Sequence, residues 1–183
     1  MSEELVIRHC SPTLAGLKTG SLFNCSYRTE RELTEGVRQL NRRLVPSGLR
    51  VVPVRRQAGK ALIYVYRPTR LRQDLAQPDA RRLLAARGYP CDQPERCVAR
   101  LMQRLGQAAE FPHEIGLFLG YPPEDVQGFL ENRLCKCVGC WKVYGDEQAA
   151  QKRFRQFRKC ADIYRQQWTQ GRPLEKLAVK NRS

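Results

Sequence analysis

The segment that follows Asp146 is the longest amphipathic stretch of the chain, and it needs a large apolar surface to pack on. Asp146 is a favourable N-cap residue, so a helix is expected to begin directly after it. The apolar side chains then recur at spacings of three and four residues, which places them on one helix face: Ala150, Phe154, Phe157, Ala161, Tyr164 and Trp168. We predict a long helix whose aromatic face belongs to the protein core rather than to a cofactor site.

Helix and strand patterns both occur before this segment, which indicates a mixed architecture. Thr29 and Glu32 form a capping box in front of a helical apolar pattern that runs to Leu44. Residues 49–55 and 61–67 are rich in Val, Ile and Tyr, and the polar connection between them contains a glycine, which predicts a β-hairpin. We therefore predict the α+β class, with a small antiparallel or mixed sheet of four to five strands packed with several helices.

The length and composition of the chain fit one domain. A chain of 183 residues, 42% of them hydrophobic, can bury a sizeable core without further domains. We assign residues 1–170 to a single α+β domain. Residues 171–183 are mostly polar, and we predict that they form a C-terminal tail.

The net charge of +15 is unevenly distributed along the chain. Residues 110–145 contain three basic and five acidic residues, a net charge of −2, whereas both flanking segments are basic. A basic protein attracts phosphates, nucleic acid or acidic partner proteins through its long-range field. No apolar run approaches the roughly 20 residues that span a bilayer, and the N-terminus has no signal-peptide pattern. We expect a cytoplasmic protein without a membrane partner and with reduced cysteines.

One segment, residues 111–146, concentrates aromatic and reactive side chains. It contains one of the two histidines, one of the two tryptophans and three closely spaced cysteines. Pro112 and Pro123 each fit the first turn of a short helix, and residues 140–144 alternate like a strand. We therefore place the functional site in this segment, and three kinds of site fit its residues.

The first alternative is a binding pocket for a small anionic ligand. Its aromatic walls would come from four side chains: Phe111, Tyr121, Trp141 and Tyr144. Its positive charge would come from three basic side chains: Lys142, Arg67 and Arg70. A nucleotide, a flavin or an acidic redox protein fits such a site, and the overall charge also fits nucleic acid. The opposing interpretation buries Trp141 and Phe111 in the core and leaves Lys142 in solvent.

The second alternative is a cysteine- and histidine-dependent enzyme. Residues 5–8 predict a short strand, and Ser11 and Pro12 then predict the start of a short helix. Cys10 would lie at that helix N-terminus, where the helix dipole lowers the pKa of a thiol. The catalytic set would be Cys10 as nucleophile, His113 as base, and Glu114 or Asp125 as the carboxylate that orients the base. Whether the protein is an enzyme stays open, because single Cys and His residues are usually structural.

The third alternative is a metal centre at Cys135, Cys137 and Cys140. The spacing C-x-C-x2-C places three soft thiolate ligands on a short turn, which suits zinc or an iron–sulfur cluster. A closed tetrahedral site needs a fourth ligand from a distant part of the sequence. The opposing interpretation is that the three cysteines are free thiols.

Four motifs resemble one known family: HCSPTLAGLK, LIYVYRP, HEIGLFLGYPPEDVQGFLEN and GCWKVYGD. Together they cover nearly the whole chain, and they resemble the bacterial family catalogued as domain of unknown function 3793. The resemblance implies a small intracellular bacterial protein without an established activity, linked to redox or metal metabolism and to flavodoxin-like partners. Relatives differ at residues 135–140, so the resemblance favours five other site residues: His113, Glu114, Asp125, Trp141 and Lys142.

We therefore predict a cytoplasmic ligand- or metal-binding protein connected with redox or metal metabolism. The alternatives are an enzyme that uses Cys10 and His113, and a basic protein that binds nucleic acid or a nucleotide.

Overall fold

The computed structural model describes residues 2–107 and 111–180, and it has the predicted α+β class. Its α-helices within these residues are Glu3–Leu14 (α1), Glu30–Leu44 (α2), Pro68–Ala76 (α3), Pro78–Ala85 (α4), Pro94–Gln107 (α5), Ile115–Phe118 (α6), Pro123–Leu130 (α7), Glu147–Thr169 (α8) and Leu174–Leu177 (α9). The strands are Gly20–Ser26 (β1), Arg50–Gln57 (β2), Lys60–Tyr66 (β3), Cys137–Val138 (β4) and Lys142–Val143 (β5).

The strands form two separate antiparallel sheets, so the predicted single sheet of four or five strands is wrong. β3 lies in the centre of a three-stranded sheet, with β1 on one side and β2 on the other. The predicted hairpin is confirmed, because β2 and β3 pair directly. β4 and β5 are only two residues long and form their own two-stranded sheet. Each sheet has fewer strands than predicted, because strand pairing depends on contacts that no local pattern encodes.

The three-stranded sheet is covered on both faces, and β3 shows this most clearly. Because side chains alternate along a strand, Ile63 and Val65 point into one core together with residues of α1, α2 and α8. Tyr64 and Tyr66 point into a second core with residues of α3, α4, α5 and α6. A third apolar cluster joins the β4–β5 hairpin to the first half of α8. The hairpin therefore sits on a rigid helical base.

Two of the predicted helices begin as their capping residues indicate. The Thr29 side chain accepts a hydrogen bond from Glu32 N at 3.1 Å at the start of α2. The Asp146 side chain accepts one from Ala149 N at 3.0 Å at the start of α8. The predicted aromatic face of α8 is confirmed, since Ala150, Phe154, Phe157, Cys160 and Tyr164 are buried. Ala161 and Trp168 lie at its margin and are partly buried.

The N-terminal prediction is wrong, because residues 5–8 and Ser11 all belong to α1. Pro12 lies inside this helix rather than at its start, and its missing N–H leaves the carbonyl of Arg8 without its helical donor. The helix persists because Val6, Cys10 and Leu14, spaced four residues apart, are completely buried against the first core. Tertiary packing thus overrides the local preference of proline for a helix start.

The predicted C-terminal tail is also wrong for residues 171–180. Within this segment Leu174–Leu177 form α9, and Leu174 and Leu177 are buried in the first core. Val179 N donates a hydrogen bond to Leu14 O at 3.0 Å, which attaches the segment to the end of α1. Three apolar residues among many polar ones anchor it in the first core: Leu174, Leu177 and Ala178. Within residues 2–107 and 111–180, no helix has the length and apolarity needed to cross a membrane.

Candidate functional site

A cavity of about 210 Å³ lies between α6, α7 and the β4–β5 hairpin, and we call it the Trp141 cavity. Its walls come from residues 111–142: Phe111, His113, Ile115, Gly116, Tyr121, Asp125, Val126, Phe129, Trp141 and Lys142. Six of these residues were singled out from the sequence. The structure therefore brings together Phe111, His113, Tyr121, Asp125, Trp141 and Lys142, although they span about thirty positions of the chain.

Close packing between α6 and α7 sets the position of the aromatic wall. Gly116 lies where these helices meet, and a Cβ atom there would be only 2.8 Å from Val126 Cγ2 and 3.0 Å from Tyr121 Cδ2. Gly120 ends the α6 turn with a φ of +77°, a conformation that glycine adopts without strain. Pro123 then begins α7. The two glycines allow Tyr121 to fold back against its own helix pair and to face Trp141.

Trp141 forms the floor of the cavity within a cluster of aromatic rings. Its ring stacks on Tyr121 at a centroid distance of 4.8 Å and meets the Phe154 ring edge-on at 4.5 Å. Trp141 is only 8% exposed, so the sequence-based interpretation that it belongs to the core is correct for most of its surface. Burial raises the pKa of Tyr121 to about 12, and its hydroxyl therefore stays protonated at neutral pH.

Asp125 holds the floor in place rather than offering a free carboxylate. Its Oδ2 accepts a hydrogen bond from Trp141 Nε1 at 2.7 Å. Its Oδ1 accepts two more, from Tyr144 N at 2.7 Å and Gly145 N at 2.8 Å. The side chain is buried, so one carboxylate joins α7 to the tryptophan and to the end of the hairpin. Both oxygens are engaged, and their hydrogen-bond partners within the described residues are an indole and two backbone N–H groups rather than the histidine that the catalytic hypothesis requires.

The polar edge of the cavity comes from His113 and Lys142. The His113 ring meets Phe129 edge-on at a centroid distance of 4.9 Å, and Lys142 Nζ lies 5.3 Å from the centre of the same ring. Both side chains are exposed at the mouth of the cavity. Lys142 has no carboxylate within ion-pair distance among the described residues. The mouth therefore carries a positive charge that is available to a ligand.

Glu114 belongs to a buried ionic cluster in the second core and does not line the Trp141 cavity. It accepts a hydrogen bond from the Tyr89 hydroxyl at 2.9 Å and pairs with Arg104 Nε at 2.9 Å. Arg87 Nε is 4.0 Å from its second oxygen. Burial, together with the Glu114 charge, raises the pKa of Tyr89. Glu114 is adjacent to His113 in sequence, but its carboxylate is directed to α5 and to the loop between α4 and α5.

Cys10 lies completely buried in the second half of α1, so its predicted position at a helix N-terminus is wrong. Burial raises the pKa of the Cys10 thiol to about 12, the opposite of the predicted direction. The thiol is enclosed by the first core, whereas His113 is at the mouth of the Trp141 cavity. The structure therefore does not bring the predicted nucleophile and base together. The prediction failed because it placed the start of a helix at Pro12, whereas Pro12 lies inside α1.

Arg67 is a structural residue, which corrects its predicted role in ligand binding. The residue is 1% exposed, and its guanidinium donates hydrogen bonds to four backbone carbonyls. The acceptors are Thr13 O at 2.7 Å, Leu14 O at 2.6 Å, Val179 O at 2.8 Å and Ser47 O at 3.2 Å. Tyr144 likewise lies outside the cavity lining, where it packs against Gly128.

The three hairpin cysteines are placed on the surface. Cys135 and Cys140 are exposed and Cys137 is partly buried. Across residues 2–107 and 111–180, no three His, Cys, Asp or Glu side chains are grouped so that they could hold a metal ion. The zinc or iron–sulfur prediction therefore gains no geometric support from this part of the chain.

Phe129 was not among the site residues predicted from the sequence, although it forms a wall of the cavity. The structure leaves Phe129 partly exposed between His113 and Lys142. Lys18 was also not predicted from the sequence. Its Nζ lies 5.3 Å from the centre of the Tyr121 ring. No local signal marks Lys18.

Comparison with known proteins gives one family. The family described as "Protein of unknown function (DUF3793)" matches residues 6–178, which is nearly the whole chain. Neither the curated proteins nor the solved structures include a significant match.

Proposed function

This chain belongs to the family DUF3793, and we propose that it binds a small planar aromatic anion in the Trp141 cavity. The observation that carries the proposal is the combination of aromatic walls with an unpaired lysine at the mouth. Phe129, Tyr121 and Trp141 provide flat apolar surface, and Lys142 provides charge. A largely apolar pocket with a few convergent polar groups is the usual form of a small-molecule site.

The size of the cavity limits the ligand. Its volume of about 210 Å³ is larger than the roughly 150 Å³ apolar cavity that accepts benzene in an engineered protein. It is smaller than the roughly 300–1,000 Å³ of typical pockets for drug-sized molecules. One or two aromatic rings fit this volume, whereas an entire dinucleotide does not. We therefore propose a compact ring system with an acidic substituent.

The charges at the site favour an anion over a cation. Lys142 lacks an ion-pair partner in the described residues, so a ligand carboxylate or phosphate would supply one. Among the described residues of the lining Asp125 is the only carboxylate, and both of its oxygens already accept hydrogen bonds, three in all, from the protein itself. The aromatic group would then lie against Trp141 and Phe129, with its acidic group towards Lys142.

Binding is better supported than the nucleophilic mechanism predicted from the sequence. That mechanism requires an accessible thiolate near His113, but Cys10 is buried and its pKa is raised to about 12. The carboxylates proposed to orient His113 are engaged elsewhere, Glu114 with Tyr89 and Arg104 and Asp125 with the hairpin. The binding proposal needs only residues that the structure has already brought together.

Tryptophan fluorescence tests the proposal directly. Trp168 is replaced by phenylalanine, which leaves Trp141 as the only tryptophan and reporter. The probes are benzoate, neutral benzamide and cationic benzylamine at constant ionic strength. We expect saturable quenching with affinities in the order benzoate, benzamide, benzylamine, because Lys142 attracts the first and repels the last. The naphthalene carboxylate 2-naphthoate, with a second ring, should bind more tightly than benzoate.

Two substitutions separate the aromatic and charged parts of the site. Lys142→Met should weaken benzoate about two- to five-fold, the range expected for an exposed ion pair, and leave benzamide unchanged. Lys152→Met is the matched control, since Lys152 is an exposed lysine that does not line the cavity. Phe129→Ala should weaken all three probes about ten-fold through loss of aromatic contact. Equal effects of the two lysine substitutions, or no saturation with any probe, would contradict the proposal.

A further inference from the structure

A second cavity, of about 250 Å³, lies between the loop that joins α1 to β1, the helix α3 and the helix α8, and we call it the Lys18 cleft. Tyr121 lines both this cleft and the Trp141 cavity. Unlike that cavity, the Lys18 cleft is lined mainly by polar groups, among them Lys18, Thr19, Arg70, Asp74, Arg153 and Gln156. We infer that the Lys18 cleft is a binding site for the phosphate group of a small phosphorylated molecule. This inference does not depend on the aromatic ligand proposed above.

The main support for this inference is the ammonium group of Lys18, which lacks a counter-charge among the described residues. Lys18 is partly buried in the cleft, and no carboxylate or hydrogen-bond acceptor pairs with its ammonium group among the described residues. Its only described contact of this kind is with the face of the Tyr121 ring, at 5.3 Å. Burial lowers the pKa of Lys18, since the charged form is deprived of water. A partly buried cation without a counter-charge is costly, and a bound anion removes that cost.

Two arginines from other elements complete the positive lining. Arg70 of α3 uses one guanidinium nitrogen to bind the carbonyl of Gly16, which fixes the side chain beside the α1–β1 loop and leaves its other donors available. Arg153 of α8 has no ion-pair or hydrogen-bond partner among the described residues. Arginine is suited to phosphate because its planar group donates two parallel hydrogen bonds. The cleft thus presents three cations from three different segments.

Asp74 is the only acidic residue that the described part of the chain contributes to the lining, and one of its oxygens is occupied by Thr19. The Thr19 hydroxyl donates a hydrogen bond to Asp74 Oδ2. Burial raises the pKa of Asp74, although the carboxylate still reduces the positive potential of the cleft. Three cations and one carboxylate give a local charge of 3 − 1 = +2. A phosphate monoester carries about −1.5 to −2 at neutral pH, so it matches this charge closely.

The shape of the site favours a phosphate on a small molecule over a nucleic-acid backbone. The cations line a concave space of about 250 Å³, many times the roughly 10–15 Å³ that one water molecule needs by the same measure. Such a space holds one phosphate group with part of its parent molecule. A nucleic-acid backbone instead follows a continuous row of cations along a surface or groove. The amide of Gln156 adds a neutral donor for a phosphate oxygen.

The test is calorimetric titration of the full chain with inorganic phosphate, at pH 7.5 and at an ionic strength kept constant with chloride. We expect one saturable site per chain. Lys18→Met should weaken phosphate about ten-fold or more, the loss expected for a charge-assisted hydrogen bond. Asp74→Asn keeps an oxygen that can accept from Thr19 but removes the negative charge, so it should strengthen phosphate binding about two- to five-fold.

Arg153→Gln and Arg155→Gln form the matched pair. Both residues are exposed on α8 and both substitutions remove one positive charge, but Arg155 does not line the Lys18 cleft. We expect about two- to five-fold weaker phosphate binding for Arg153→Gln and no change for Arg155→Gln. Equal weakening by both would mean that net charge alone attracts phosphate, and would overturn the site. Because Arg153 is exposed, this pair decides the question even if Lys18→Met does not fold.

One further arm separates a small phosphorylated ligand from nucleic acid. A single-stranded oligonucleotide that binds with the same dependence on Arg153, while inorganic phosphate shows no saturation, would overturn the assignment to a small molecule. The Arg153→Gln protein should bind benzoate in the Trp141 cavity with wild-type affinity, so the two proposals fail or succeed separately.

Discussion

Replacing Asp125 with alanine is expected to destabilise the protein strongly. The substitution removes the acceptor of three hydrogen bonds, from Trp141 Nε1, Tyr144 N and Gly145 N. The indole N–H is in a side chain that is only 8% exposed, so it is left without a partner and largely without water. The two backbone N–H groups are less deeply buried and can be reached by water after a small adjustment of the hairpin.

The magnitude follows from these different degrees of burial. An unsatisfied buried donor costs about 1–3 kcal/mol, and we assign this range to the indole. Each of the two backbone donors loses a net hydrogen bond worth about 0.5–1.5 kcal/mol. The sum is about 2–6 kcal/mol, which is a large part of the roughly 5–15 kcal/mol that stabilises a typical domain. Asp125→Asn keeps one acceptor oxygen but turns an NH₂ group towards the remaining donors, so it should lie between wild type and alanine.

Urea unfolding in the Trp168→Phe background measures this prediction, since Trp141 then reports on the hairpin itself. The control is Asp162→Ala, which removes an exposed carboxylate paired with Arg165 at 3.3 Å. That control should change the free energy of unfolding by less than about 0.5 kcal/mol. If Asp125→Ala costs less than about 1 kcal/mol, then the three hydrogen bonds do not hold the hairpin and the argument is refuted.

Three further predictions concern parts of the structure outside this cluster. Iodoacetamide at neutral pH should alkylate Cys135 quickly and Cys10 only after unfolding, because Cys10 is buried and its pKa is raised to about 12. Peptide mass spectrometry measures both rates, and equal rates would contradict the burial of Cys10 in α1. Arg67→Met should lower the free energy of unfolding by at least about 3 kcal/mol, since four carbonyls lose a charged donor; a loss below 1 kcal/mol in urea unfolding would count against this. Gly128→Ala should destabilise by about 1–3 kcal/mol, because the new Cβ would lie 2.4 Å from a tyrosine ring. Gly106→Ala, with nothing within 4 Å of the new Cβ atom, should instead stabilise α5 by about 0.5–1 kcal/mol. Melting temperatures that shift in the same direction for Gly128→Ala and Gly106→Ala would contradict this prediction.

The elements that were predicted well are those whose pattern repeats over many residues. α8 extends over 23 residues and presents its aromatic face at every turn, so it can be predicted as a helix without knowing which surface it packs against. The hairpin of β2 and β3 is similarly defined by β-branched and aromatic residues around one glycine turn. The two-stranded sheet of the second hairpin could not be assigned in this way, because two residues per strand contain no period.

The errors at the two ends of the chain have a common physical cause. In α1, Pro12 favours a helix start locally, but complete burial of Val6, Cys10 and Leu14 stabilises a helix that continues through it. In α9, a polar composition suggests a tail, but Leu174 and Leu177 fill the first core. In each case a few apolar contacts with distant segments outweigh the local preference. Such contacts can be seen only once the segments are in place.

The Trp141 cavity was located from the sequence because its walls are close together along the chain, within residues 111–142. The roles within it were less predictable. Asp125 was considered as a catalytic carboxylate, but whether a carboxylate is free depends on which donors surround it. Those donors lie 16 to 20 positions away in the hairpin. The Lys18 cleft has no sequence signature at all, since its three cations come from positions 18, 70 and 153.

The engagement of Asp125 explains how an acidic residue can line a cavity that we propose binds an anion. A free carboxylate beside Lys142 would neutralise the lysine and repel an acidic ligand. Three donors instead surround the Asp125 carboxylate, and they offset its charge within the wall while they hold Trp141 in place. The same hydrogen bonds that stabilise the hairpin therefore leave the positive charge at the mouth available for a ligand. It follows that Asp125→Asn, where the protein remains folded, should disturb the aromatic floor more than the charge at the mouth, and should weaken benzamide as much as benzoate.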